Sequence, residues 1–148
     1  IVVSVPYRHG VSLEVINGKG PAFACSDFGC GEPVIALHCS ASSGRQWRPL
    51  AEALGTRFRV LAPDSFGCGD SPPWPGRRRF RPSDEAAMVR TLAAQNNEPV
   101  HWIGHSYGGG VAQRAALQAP EPVRSLTLVE PAARAGLFRL FRHALLPP

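Results

Sequence analysis

Ser106 stands at the centre of Gly104-His105-Ser106-Tyr107-Gly108, a G-x-S-x-G pattern. A serine hydroxyl becomes a useful nucleophile when a tight turn lifts it clear of the backbone and a base takes its proton. Glycines two before and two after it keep side chains out of such a turn. A helix starting directly behind the serine would aim its free N–H groups and positive dipole end at the place where an oxyanion develops. The alternative is a structural glycine-rich turn, because a five-residue match arises easily by chance. The apolar run in front, the helical spacing behind and Gly108-Gly109-Gly110 favour the nucleophile. The same glycines form neither G-x-G-x-x-G nor a lysine-bearing phosphate loop, so nucleotide binding is not indicated.

Such a turn needs a strand to enter it and a helix to leave it. Val100-His101-Trp102-Ile103 is short and apolar enough for a buried strand, and Gly108, Val111, Ala112, Ala115, Ala116 and Ala119 share one helical face, closed by Pro120. Upstream, Val11, Leu13 and Val15 alternate as a half-buried strand. Asn17-Gly18 offers a hairpin turn to a second strand near Ala22–Ser26, and Asp27–Pro33 reads as loop. Val34–Leu37 is a continuous apolar strand opening onto the small residues of His38–Gly44. Trp47, Leu50, Ala51 and Leu54 predict a helix that Ser42 or Ser43 could cap, followed by a strand over Phe58–Ala62 and a turn over Pro63–Ser71. Pro72–Gly76 and the following arginines form a surface excursion. Ser83 then caps a helix from Asp84 to about Asn96, and Arg124–Val129 is a last strand before Glu130-Pro131. Strands alternating with helices after an initial hairpin mean an α/β fold, a mostly parallel sheet with crossover helices, in one domain.

The net charge of +5 comes from 15 Arg and one Lys against 11 acidic residues. Only Arg77-Arg78-Arg79 with Arg81 forms a run, so a solvated surface outweighs nucleic-acid binding. No apolar stretch approaches membrane-spanning length, and no signal peptide is visible in the opening residues, which together suggest a cytoplasmic protein. Cys25, Cys30, Cys39 and Cys68 form no C-x-x-C pair and no C/H metal spacing; they suit a reducing compartment, and neither metal nor cofactor is expected.

With these pieces in order the chain resembles the α/β-hydrolase superfamily over most of its length. His38-Cys39-Ser40 takes the place of that family's H-G-x loop, and Asp64-Ser65-Phe66-Gly67-Cys68-Gly69-Asp70-Ser71 matches its D-x-x-G-x-G-x-S turn. The resemblance implies that Ser106 is the nucleophile and that backbone N–H groups of Tyr107 and Ser40 form the oxyanion hole. It implies a serine hydrolase of the esterase or lipase type, working through an acyl-enzyme on a small acyl substrate. His38 would orient its loop, and His105 would point away from the chemistry.

Two departures stand out. Cys39 occupies a position that is usually glycine in the family. The family's acid and histidine normally follow the serine, yet only His143 lies beyond Ser106, within an amphipathic pattern of Leu137, Leu140, Phe141, Ala144 and Leu145. Residues 132–148 correspond to the start of the family's lid, which makes His143 a helix-surface residue. Glu130 is where some members place their acid; a plain strand-end residue is an equal reading. Completing the sheet would take at least two further βα units of about 30 residues each. The expectation is therefore a hydrolase domain truncated after the strand that follows the elbow. The alternative is a catalytically dead remnant or binding module.

Overall fold

The computed structural model describes residues 3–7, 11–15, 22–118 and 123–132. Seven strands form one sheet: β1 (Val3–Tyr7), β2 (Val11–Val15), β3 (Phe23–Gly29), β4 (Glu32–Leu37), β5 (Phe58–Pro63), β6 (Val100–His105) and β7 (Val123–Val129). Their spatial order is β1-β2-β3-β5-β4-β6-β7. β1, β2, β3 and β5 pair antiparallel in succession, whereas β5-β4, β4-β6 and β6-β7 are parallel. The parallel sheet expected after an initial hairpin thus runs from β4 onward. β1 is an additional strand, and the Asn17-Gly18 turn, His143 and the lid expected over 132–148 (apart from Ala132) lie outside the described residues.

The helices are α1 (Arg48–Leu54), α2 (Pro82–Ala94) and α3 (Tyr107–Gln118), with a 3₁₀ turn over Gly44–Trp47 leading into α1. Strand alternation sends successive side chains to opposite faces. Ile35 and Leu37 join Phe23, Leu61, Val100 and Trp102 in a core covered by α2 and α3. Val34 and Ala36 join Val60 and Ala62 in a second core under Trp47 and Ala51. Burial on both faces is why β4 carries an unbroken apolar run, as parallel strands between helix layers do. β7, the outermost strand described, is only partly covered: Leu126 and Leu128 pack on the first core while Val129 is exposed.

The Asp27–Pro33 loop is in fact mostly strand, with β3 and β4 meeting across Cys30-Gly31. Asp27 is paired with Arg59 across the β3–β5 ladder. Ser83 does not cap α2. The helix begins two residues earlier than expected, at Pro82, whose fixed φ suits the first helical position. Arg81 is the extended residue before it, and the Asp84 carboxylate accepts its N–H at 2.9 Å. Ser43, in front of the 3₁₀ turn, makes no side-chain cap either.

Candidate active site

Ser106 sits between the last residue of β6 and the first of α3 with φ +51°, a left-handed conformation that non-glycine residues adopt at a cost of about 1–3 kcal/mol. Its neighbours hold it there. The Ser106 N–H donates to the Val129 carbonyl at 2.9 Å, and its carbonyl accepts from Gly110 N at 3.1 Å and Ala132 N at 2.8 Å. The segment that leaves β7 therefore grips both sides of the serine. A Cβ on Gly104 would lie 2.5 Å from the Gly108 carbonyl oxygen, and one on Gly108 would lie 2.4 Å from that of Leu37. The two glycines let α3 start against β6 and against the end of β4 at once. That brings the loop after β4 beside the serine.

That loop is fixed by its side chains. His38 is buried; its Nε2 accepts the Ser65 N–H at 2.9 Å, so Nδ1 carries the proton and donates to the Cys39 carbonyl at 2.7 Å. Gln46 accepts the Cys39 N–H at 3.1 Å and, through its amide nitrogen, donates to His105 Nδ1 at 3.0 Å. It therefore ties the loop to the elbow strand. With Cys39 N–H engaged, the next N–H along the loop belongs to Ser40, in an exposed turn that Ala41 completes at φ +57°.

The Asp64–Ser71 turn supports the loop from below. Buried Asp64 accepts the Gly44 N–H at 2.6 Å and the Asp70 N–H at 2.8 Å. Gly69 packs where a Cβ would strike the Asp64 carboxylate, and the Ser71 hydroxyl donates to the Asp64 carbonyl while accepting Ala24 N–H, each at 2.8 Å. Burial, then Glu85 and Asp64, push the Cys68 thiol up, so it stays protonated and is no rival nucleophile.

This combination of sheet order, elbow and supporting turns has clear relatives. Residues 32–147 match the α/β hydrolase fold family. The chain belongs to that family. RutD of Azorhizobium caulinodans, assigned as a carbamate hydrolase, is 34% identical over 134 residues, 90% of this chain and 47% of its own. The pimeloyl-[acyl-carrier protein] methyl ester esterase of Chromobacterium violaceum is 39% identical over 116 residues, covering 78% of this chain and 43% of its own. The solved structure of a hydrolase from Pseudomonas aeruginosa superposes with a TM-score of 0.74 at 27% identity, covering 93% of this chain and 52% of that one. This chain thus spans about half the length of the relatives it matches.

Set in the α/β-hydrolase frame, the residues singled out from sequence fall into two groups. Ser106, Tyr107 and the Cys39-Ser40 loop converge on the start of α3. Glu130 directly follows β7 as an exposed residue at φ +42°, and the nearby Val129 and Ala132 bond the Ser106 backbone. Three histidines fall within the described residues. Both His38 nitrogens are engaged, His105 is bonded to Gln46, and His101 pairs with Ser125 and Glu32 nearer the start of β6. No group of three His, Cys, Asp or Glu side chains among the described residues could hold a metal ion, and no described helix is long and apolar enough to cross a membrane.

Sequence reasoning missed Glu85. It is buried on α2, and its Oε2 accepts the Tyr107 hydroxyl at 2.5 Å. Burial, then that hydrogen bond, push the Tyr107 phenol well above its ordinary range, so it keeps its proton. In the sequence Glu85 is an ordinary first-turn acid of α2, favourable to the helix dipole. Only its interior face in the folded protein distinguishes it.

Proposed function

We propose that this chain carries the nucleophile and oxyanion hole of a serine hydrolase that cleaves an ester or similar acyl bond. The supporting observation is Ser106 held at φ +51° between β6 and α3, with Gly108 of α3 packed against the Leu37 and His38 carbonyls that lead into the loop after β4. In this reading Ser106 Oγ attacks the carbonyl carbon as its proton passes to a base. The oxyanion takes hydrogen bonds from Tyr107 N–H and Ser40 N–H. The leaving group departs with the proton, and water then hydrolyses the acyl-enzyme. The relatives' names specify a carbamate and a methyl ester, both acyl compounds that such a site handles.

None of the three described histidines is assigned as the base: both His38 nitrogens are engaged, His105 is bonded to Gln46, and His101 lies nearer the start of β6. Glu130 is the candidate acid on this chain. Substrates are small acyl compounds, with no nucleic acid involved. The test is a fluorophosphonate probe on the full chain, with an ester turnover assay alongside. Labelling and turnover in the wild type, both lost in Ser106→Ala, support the proposal. A folded chain that neither labels nor turns over ester beyond the Ser106→Ala background refutes it and supports the binding-module alternative.

A further inference from the structure

The elbow is anchored on two sides by different means. On the β7 side the anchors are main-chain hydrogen bonds, from Ser106 N–H to the Val129 carbonyl and from Ala132 N–H to the Ser106 carbonyl. On the opposite side the anchor is a side-chain bond, from the hydroxyl of Tyr107, the first residue of α3, to Glu85 on α2. Glu85 is 2% exposed, its Oε1 has no hydrogen-bond partner among the described residues, and none of their ion pairs includes it. It lines a cavity with Leu37, His38, Ser65, Met88 and Gly108 that has space for about one water molecule. Burying a half-satisfied carboxylate is unfavourable for stability, and a neutral acceptor would satisfy Tyr107 at less expense. A carboxylate does give a shorter and stronger hydrogen bond than a neutral group.

We propose that Glu85 is a positioning residue for the oxyanion hole: by holding the Tyr107 side chain it fixes the backbone N–H of the same residue beside Ser106. The inference rests on the hydrolase reading, because the group positioned is the oxyanion donor. Tyr107 has few ways to move without moving that N–H, since it begins α3 and directly follows the strained serine. The Ser106 anchors to β7 fix the turn; on the α2 side Tyr107 packs on the core, and among the described residues its side-chain hydrogen bond is the one to Glu85.

The test is steady-state ester hydrolysis and thermal unfolding by the full chain and its variants. Glu85→Leu removes the acceptor at similar volume and lowers kcat by about tenfold or more, KM staying within twofold and Tm holding or rising. Glu85→Gln, which keeps an acceptor for Tyr107, restores kcat to within about threefold of wild type. Should Glu85→Leu fail to fold, Tyr107→Phe breaks the same bond and is expected to show the same loss in kcat at constant KM. The inference is overturned if the variants that lack the bond turn over at the wild-type rate. It is equally overturned if activity and Tm fall together and Gln restores neither. A wild type that neither labels at Ser106 nor hydrolyses ester refutes the hydrolase reading instead, so the two failures are distinguishable.

Discussion

Gly108→Ala adds one methyl group at the most crowded point of the elbow. Its Cβ would lie 2.4 Å from the Leu37 carbonyl oxygen and 2.5 Å from that of His38, where ordinary contact begins near 3.4 Å. Both atoms are backbone. Leu37 is moreover in register with Gly104 in the β4–β6 ladder, so no side chain can rotate away. The helix start and the loop must part by about 1 Å. Overpacking of this kind costs about 1–3 kcal/mol, against a gain of about 1 kcal/mol from alanine's helix propensity. The net loss is about 0–2 kcal/mol, or up to about 6 °C in Tm for a protein of this size. The larger effect is on chemistry. The parting separates Tyr107 N–H from Ser40 N–H, and a displacement of about 1 Å at reacting groups can cost about a hundredfold in rate. Thermal unfolding and the second-order rate of fluorophosphonate labelling read the two effects separately. Gly55→Ala is the control: φ +60° makes it strained, but nothing lies within 4 Å of its Cβ. It should lower Tm and leave labelling intact. A Gly108→Ala protein that melts at or above the wild-type temperature and labels at the wild-type rate would refute the close-approach reasoning.

Ser71→Ala deprives the buried Ala24 N–H of its acceptor and should cost about 1–3 kcal/mol in urea unfolding; a change below about 0.5 kcal/mol would mean that another group accepts that N–H. The Arg78 guanidinium, then the Arg81 N–H, hold the Asp84 carboxyl below its ordinary range. A folded-state value lower than the unfolded one gives stability that is present at neutral pH and lost as pH falls through the folded value. Asp84→Asn should therefore lower Tm at pH 7, and the gap should begin to narrow below about pH 4 and vanish only below the folded value. A gap that persists at acid pH would assign the effect to something other than charge.

What the sequence made legible was whatever a local constraint dictates. Val34–Leu37 is apolar at every position because helices cover both faces of β4, and the resulting run announces itself without knowledge of the partners. Gly104 and Gly108 are visible because close backbone approach admits no Cβ, whichever backbone approaches. Ser83, by contrast, has the right chemistry for a cap but loses to Pro82, which sets the helix start two residues earlier than expected. Gln46 and Glu85 were unreadable for a different reason: each is unremarkable in its own helix or turn, and its role lies in partners outside that element, Cys39 and His105 for one and Tyr107 for the other.

The elbow joins both kinds of information. The G-x-S-x-G letters permit the turn at Ser106, but a left-handed serine persists only where its surroundings over-determine it. Here those surroundings are the Val129 carbonyl and the Ala132 N–H at the end of β7, with Pro131 packed against Gly109. Glu130, itself at φ +42°, lies in the middle of that grip. Its backbone therefore has a structural task whatever its carboxylate does. A change such as Glu130→Gln, which keeps the side chain's size and leaves the backbone grip in place, separates the acid role from the structural one better than Glu130→Gly, which would free the φ angle along with the charge.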